Sequence, residues 1–229
     1  MNKTLLSQQI TSLGLDATDG MLEKLSAYYN MVVECNKAFN LTAILEEKDF
    51  AIKHFADSLA GISLIPKNAK LLDIGSGAGF PSMPIAIARE DVKVVALDST
   101  AKKMTFVANC ARELGVNNLS TVSGRAEDQK NMFGSFDVVT ARAVSALPIL
   151  LELAMPMLKV GGIFIAYKTD ESELETSQNA LKVLNAKHTS TKSLVLDNGE
   201  KRALLCFEKT APTPKQYPRV YGTIKKKPL

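Results

Sequence analysis

The stretch that most constrains the chain is Leu71-Leu72-Asp73-Ile74-Gly75-Ser76-Gly77-Ala78-Gly79-Phe80-Pro81. Apolar residues ending on an acid read as the end of a buried strand. Three alternating glycines then mark a sharp turn, and the apolar run from Met83 to Arg89 reads as the start of a helix. Glycine lets the main chain turn with positive φ and lets a ligand approach the backbone with no Cβ in the way. The helix that follows offers free N–H groups to a polar ligand. A strand, a glycine turn and a helix in this order predict a nucleotide-like cofactor held at the turn.

The spacing narrows the cofactor. A dinucleotide fingerprint, G-x-G-x-x-G, wants its third glycine where Phe80 stands. The observed D-x-G-x-G-x-G resembles instead the first motif of class I S-adenosylmethionine (SAM)-dependent methyltransferases. SAM carries no pyrophosphate, so the loop need only wrap a methionine moiety and a ribose. Val92-Lys93-Val94-Val95-Ala96-Leu97-Asp98 is a second β-rich run ending in an acid. It lies about 20 residues beyond the loop, where an acid usually holds ribose hydroxyls.

At 229 residues the chain suits one α/β domain with an appendage, or two small domains. Its hydrophobic fraction of 46% suffices for a core, and no apolar run approaches the length that spans a bilayer. The first residues lack the apolar segment of a secretory signal. Cys35, Cys110 and Cys206 are odd in number and widely spaced, which predicts reduced thiols in a cytoplasmic protein. With only His54 and His188 and no C-x-x-C pair, no metal site is expected. The net charge of +4 is concentrated at one end. Residues 212–229 hold five basic and no acidic residues, leaving 23 basic against 24 acidic elsewhere. A basic tail on a neutral body reads either as a solvated terminus or as an arm for a polyanion.

Taken in order, Thr4 to Gly14 reads as a short helix. Asp19 then caps a longer one with an apolar stripe at Met21, Leu22, Leu25, Tyr28, Tyr29, Val32 and Val33. A further helix is expected from about Glu46 to Ser63, with His54 and Asp57 three residues apart on it. From Lys70 the pattern alternates: strand 70–74, helix 83–89, strand 92–97, helix 101–114, strand 119–122, strand 136–140, helix 146–158, strand 162–168 and a helix around 171–184. This is the signature of a parallel sheet. Ser193-Leu194-Val195-Leu196 and Ala203-Leu204-Leu205-Cys206-Phe207 bracket Asp197-Asn198-Gly199-Glu200, a hairpin signal. The expected organisation is an N-terminal helical region (1–66), a cofactor-binding α/β domain (67–211) whose mostly parallel sheet ends in an antiparallel hairpin, and a basic tail (212–229).

Several further segments point to one family. Asn40-Leu41-Thr42, Lys53-His54-Phe55-Ala56-Asp57-Ser58-Leu59, the glycine loop with Phe80-Pro81, and Leu97-Asp98-Ser99 all resemble the bacterial small-subunit (16S) ribosomal RNA guanine-N7 methyltransferases, the glucose-inhibited division protein B family. So do Gly124-Arg125-Ala126-Glu127-Asp128, Thr140-Ala141-Arg142-Ala143, Tyr167-Lys168 and the tail from Pro214 to Arg219 with Gly222 and Lys226-Lys227-Pro228-Leu229. Ser82 departs from the family's usual glycine, and Val220-Tyr221 is less basic than its usual pattern. The resemblance implies cofactor contacts at Gly75, Gly77, Phe80, Asp98, Ala126, Glu127 and Arg142. The loop geometry adds Gly79. Arg142 ends the fourth strand, where a cation can meet the cofactor carboxylate, an RNA phosphate or a neighbouring acid.

The reaction so implied is methyl transfer from SAM to guanine N7, which needs no obligatory general base and no covalent cysteine. Arg142 and Lys168 are candidates for placing the substrate. Lys53, His54, Lys215, Arg219, Lys225, Lys226 and Lys227 are candidates for contacting RNA. The partner is 16S ribosomal RNA or the small ribosomal subunit, with no membrane contact, and the chain is expected to be a monomer. Two alternatives belong to other classes: a small-molecule methyltransferase of the same fold, and a non-catalytic SAM- or RNA-binding assembly factor.

Overall fold

The computed structural model describes all 229 residues. The chain opens with α1 (Lys3–Thr11), capped by the Asn2 side chain, and α2 (Asp19–Asn36). Thr18 rather than Asp19 caps α2, its Oγ1 accepting from Met21 N at 3.3 Å. Asp19 sits instead in the first turn, where its charge opposes the positive end of the helix dipole. The single helix expected over 46–63 is a composite: α3 (Glu47–Phe50), a π-helical segment (Ala51–Ala56) and α4 (Asp57–Leu59), followed by a 3₁₀ turn at Ile62–Leu64. Helices widened in this way are frequent at functional sites.

The α/β succession follows: β1 (Lys70–Ile74), α5 (Ser82–Ala88), β2 (Lys93–Asp98), α6 (Ala101–Glu113), β3 (Leu119–Ser123), β4 (Phe136–Arg142), α7 (Leu147–Ala154) and β5 (Leu158–Lys168). Two short helices, α8 (Glu173–Thr176) and α9 (Gln178–Val183), precede the hairpin of β6 (Ala186–Val195) and β7 (Lys201–Lys209). Strand order is β3-β2-β1-β4-β5-β7-β6, with the first five strands parallel and β7 and β6 antiparallel. This is the class I SAM-dependent methyltransferase arrangement.

Both faces of the sheet are covered, which is why its central strands read as continuous apolar runs. Alternate residues serve opposite layers. Leu71, Val94, Val138, Ile165 and Leu204 pack with α1, α2, α3, α5 and α6, whereas Leu72, Val139, Phe164 and Leu205 pack with α7, α9 and Ile224 of the tail. The N-terminal helices thus share their core with the sheet. The tail is also ordered: α10 (Tyr221–Lys226) buries Ile224 completely. No helix is long and apolar enough to cross a membrane.

Four expected boundaries move, each for a local reason. The helix expected to reach residue 158 stops at Ala154, because Pro156 cannot continue it and disfavours helical geometry just before itself. β5 therefore starts early, at Leu158, and carries Gly161 (φ +82°) within it rather than before it. The helix expected over 171–184 breaks at Ser177, whose hydroxyl donates to Glu173 O at 2.7 Å. β6 extends back to Ala186 through polar residues, a composition suited to an exposed edge.

The glycine loop is tied to the N-terminal layer by the fully buried Tyr28, whose hydroxyl donates to the Ala78 carbonyl. Tyr28→Phe leaves that carbonyl without a partner and should lower stability by about 1–3 kcal/mol. Urea denaturation checks this; an unchanged midpoint would show that the bond contributes nothing.

Candidate active site

The parallel strands all end on one edge of the sheet, and the turns leaving them enclose two cavities there. The first, of about 370 Å³, is within the range of small-ligand sites. Its floor is the glycine turn, pinned to β2 by the main-chain N–H groups of Gly75 and Ser76, which donate to Leu97 O at 2.8 and 3.0 Å. Gly75 has φ +71°, and a Cβ there would lie 2.5 Å from Val144 Cγ2. Gly77 has φ +58°, and a Cβ there would meet only Gly75 O, at 4.0 Å. Both glycines line the cavity.

Asp98 stands at its rim on the end of β2. Its Oδ2 accepts from Gly77 N at 3.0 Å and its Oδ1 from Thr100 N at 2.8 Å. Each carboxylate oxygen has capacity for a second donor, so the group is oriented and still able to accept from ligand hydroxyls. Ala126 and Glu127, in the turn after β3, supply another wall, and burial pushes the Glu127 carboxyl above the usual range. Gly75, Gly77, Asp98, Ala126 and Glu127 are thus brought together around one space. A glycine floor, an oriented acid and a small apolar wall suit the amino-acid, ribose and adenine parts of SAM.

Three further residues expected at the cofactor do not line this cavity. Gly79 (φ +83°) turns toward the protein interior, where a Cβ would collide with the Tyr28 hydroxyl. Phe80 is buried in an aromatic cluster, stacked on the His54 ring with centroids 4.3 Å apart and planes 12° apart. Arg142 points away from the first cavity into the second. The departure at Ser82 has its own function: its hydroxyl pairs with Ser76 Oγ at 2.6 Å beneath the loop. There the fully buried Asp73 accepts from Ser82 N at 3.2 Å and Thr140 Oγ1 at 3.0 Å. Burial raises the Asp73 pKa to about 6, against the lowering effect of these donors.

The second cavity, of about 610 Å³, lies between the π-helical segment, the ends of β4 and β5, and the hairpin. Arg142 organises it. Its Nη1 donates to the Lys53 carbonyl at 2.7 Å and to Asp57 Oδ2 at 2.9 Å, and its Nη2 lies 3.1 Å from His54 Nδ1. Arg202 reaches the other oxygen of Asp57 through Nε at 3.0 Å and Glu200 through Nη2 at 2.8 Å. Lys53 pairs with Asp49 and Glu200. Lys168 donates to Ser145 O at 2.9 Å and Glu173 Oε1 at 2.7 Å. His54 accepts from Arg142 on Nδ1, which leaves Nε2 to donate to Thr42 Oγ1 at 2.8 Å. Burial, with the Arg142 charge adding to it, lowers the His54 pKa to about 3 and keeps the ring neutral. Ala143, with φ +54°, lines both cavities.

The expected RNA contacts divide. Lys215, Lys225, Lys226 and Lys227 are exposed and form no ion pair. Arg219 is instead consumed by Glu152, a fully buried acid on α7. His54 is buried, and Lys53 is held by its two acids. Sequence reasoning does not find Arg202, Glu200 or Tyr221, which also line these cavities. Arg202 acquires its role only by meeting Asp57, 145 residues away. Its one local signal is a cation beside the hairpin turn.

His54 makes the pH dependence of folding testable. The unfolded chain takes up a proton near pH 6.5 while the folded ring stays neutral to about 3, so lowering the pH across that window favours unfolding. The stability advantage of the native chain over His54→Gln should shrink by about 2 kcal/mol between pH 7 and pH 5. Chemical denaturation at the two pH values measures it; a pH-independent difference would mean that His54 titrates normally.

The family model for rRNA small subunit methyltransferase G (GidB) matches residues 21–204. The chain is 43% identical over 224 residues to ribosomal RNA small subunit methyltransferase G of Streptococcus pyogenes serotype M3, covering 94% of each chain. Its counterpart from serotype M2 is 44% identical over 215 residues, covering 90% of this chain and 91% of its own. Among solved structures, TYW2 of M. jannaschii in complex with AdoMet superposes with a TM-score of 0.56 at 15% identity, over 67% of this chain and 74% of that one. A 16S rRNA (adenine(1408)-N(1))-methyltransferase variant from Catenulisporales acidiphilia gives 0.54 at 17% identity, over 68% and 91%. These two likenesses concern the fold. The match of the family model over most of the chain, with relatives above 40% identity along nearly its whole length, establishes that the chain belongs to the rRNA small subunit methyltransferase G family of SAM-dependent enzymes.

Proposed function

We propose that the chain transfers the methyl group of SAM to N7 of a guanine in small-subunit ribosomal RNA, with the second cavity receiving the base. The observation that carries this reading is that the acids and the histidine lining that cavity are already engaged with the protein's own groups. Asp57 is held by two arginines, Glu200 by Arg202 and Lys53, and both ring nitrogens of His54 are engaged. An acceptor that must lose a proton before it attacks would need a free acceptor within hydrogen-bond reach. Guanine N7 presents its own lone pair and needs none. The names of the relatives supply the ribosomal RNA.

SAM supplies a methyl group already activated by the sulfonium charge. Gly75 and Gly77 would hold its amino-acid part, Asp98 its ribose hydroxyls, and Ala126 and Glu127 its adenine. The remaining task for the protein is positioning, worth up to about 7–11 kcal/mol of the barrier when reactants are well aligned. Arg142 contributes by fixing the wall of the second cavity. Three of its five N–H donors go to Lys53, Asp57 and His54, so it orients these groups. Lys168, held at the neighbouring strand end, can face the base or an adjacent phosphate. The exposed Lys215 and Lys225 to Lys227 supply phosphate contacts, which fix RNA without reading its sequence.

The test is transfer of labelled methyl from SAM to unmodified small subunits and to protein-free small-subunit RNA, followed by digestion to nucleosides. Label is expected in 7-methylguanosine; label in any other nucleoside, or none despite SAM binding, refutes the proposal. Transfer should also fall steeply as salt concentration rises. Asp98→Ala should weaken SAM binding by about 1.5–3 kcal/mol through lost charge-assisted hydrogen bonds. Unchanged affinity by calorimetry would remove Asp98 from the site.

A further inference from the structure

The segment after β7 is anchored at two points. The main-chain N–H and Nε of Arg219 both donate to Glu152 Oε1, at 2.9 and 2.8 Å, and its Nη2 donates to Oε2 at 2.6 Å. Glu152 has no exposed surface, so releasing Arg219 would strand a buried charge. Ile224, five residues later, is fully buried against the layer that contains α7. Tyr221 stands between these anchors and lines the first cavity together with Gly124, Arg125 and Ala126. The Arg125 guanidinium carbon lies 4.8 Å from the centre of the Tyr221 ring.

We propose that Tyr221 is a cofactor-binding residue whose ring stacks on the adenine of SAM. The inference rests on the reading of the first cavity as the SAM site and extends it to an element outside the α/β unit. Tyr221 is the only aromatic side chain on that cavity's wall. Phe80, the aromatic residue nearest the glycine motif, is turned away into the stack with His54. The nucleobase therefore has one π-surface available to it, beside the small Ala126. Two buried anchors and the Arg125 cation hold the ring in place before the cofactor arrives, so little side-chain freedom is lost on binding. Rings used in this way stabilise a stacked base substantially, and the stacking tolerates exchange of one aromatic ring for another.

The chain contains no tryptophan, which makes Tyr221→Trp a site-specific reporter. Its indole fluorescence should change on titration with S-adenosylhomocysteine and saturate at the concentrations at which calorimetry shows binding. Tyr221→Ala should bind the same ligand roughly ten-fold more weakly, whereas Tyr221→Phe, which keeps the ring, should stay within about two-fold of the unsubstituted chain. Indole emission that ignores saturating ligand overturns the assignment, as does an Ala variant with undiminished affinity. In both cases Asp98→Ala still reports whether the cavity itself is the cofactor site. Failure of the unsubstituted chain to bind S-adenosylhomocysteine would overturn the underlying reading, and this proposal with it.

Discussion

One carboxylate joins three parts of the chain that sequence keeps far apart. Asp57, 3% exposed, begins α4; Arg142 ends β4, and Arg202 lies in β7. The two guanidinium groups take separate oxygens of the same acid, at 2.9 and 3.0 Å. A buried acid with one partner removed is strongly destabilising, because the remaining charges lose compensation without regaining water. Here the acid is shared, and Arg142 is shared in turn with the Lys53 carbonyl and the His54 ring. The N-terminal helices, the parallel sheet and the terminal hairpin are therefore held in mutual register at the site. Lys192 extends the same junction by donating to Ala60 O at 2.9 Å.

The parts of this molecule governed by local pattern were readable before the structure. β1, its glycine turn, β2 and the acid at its end follow from alternation, positive-φ requirements and spacing. Asp98 binds the turn through a contact only 21 residues long in sequence. Side-chain direction was less readable. Gly79 and Phe80 belong to the same motif as Gly75 and Gly77, yet the turn rotates them into the aromatic cluster with Tyr28, Phe50 and His54. That cluster forms only when the N-terminal helices fold back on the loop. Arg142 and Arg219 were legible as cations at useful places. Their partners, Asp57 and the buried Glu152, are products of the tertiary fold. The π-helical segment at Ala51–Ala56 likewise has no signature in apolar periodicity.

The two cavities differ in how their walls are held. Main-chain groups and short contacts along the strand ends form much of the first, including the pairing of the glycine turn with Leu97 and Asp98. Ion pairs and long side chains form the second. The division suits a site in which one ligand is always the same small molecule and the other is part of a large polyanion. A backbone-built wall gives constancy, whereas cations offer attraction to phosphate.

Ala143 belongs to both walls, and its backbone occupies the left-handed region at φ +54°. A non-glycine residue held there is fixed by its surroundings rather than by its own preference. At the one residue the two walls share, the chain therefore presents a fixed main-chain torsion and a methyl group with no rotamer to swing, a common reference edge for both chambers.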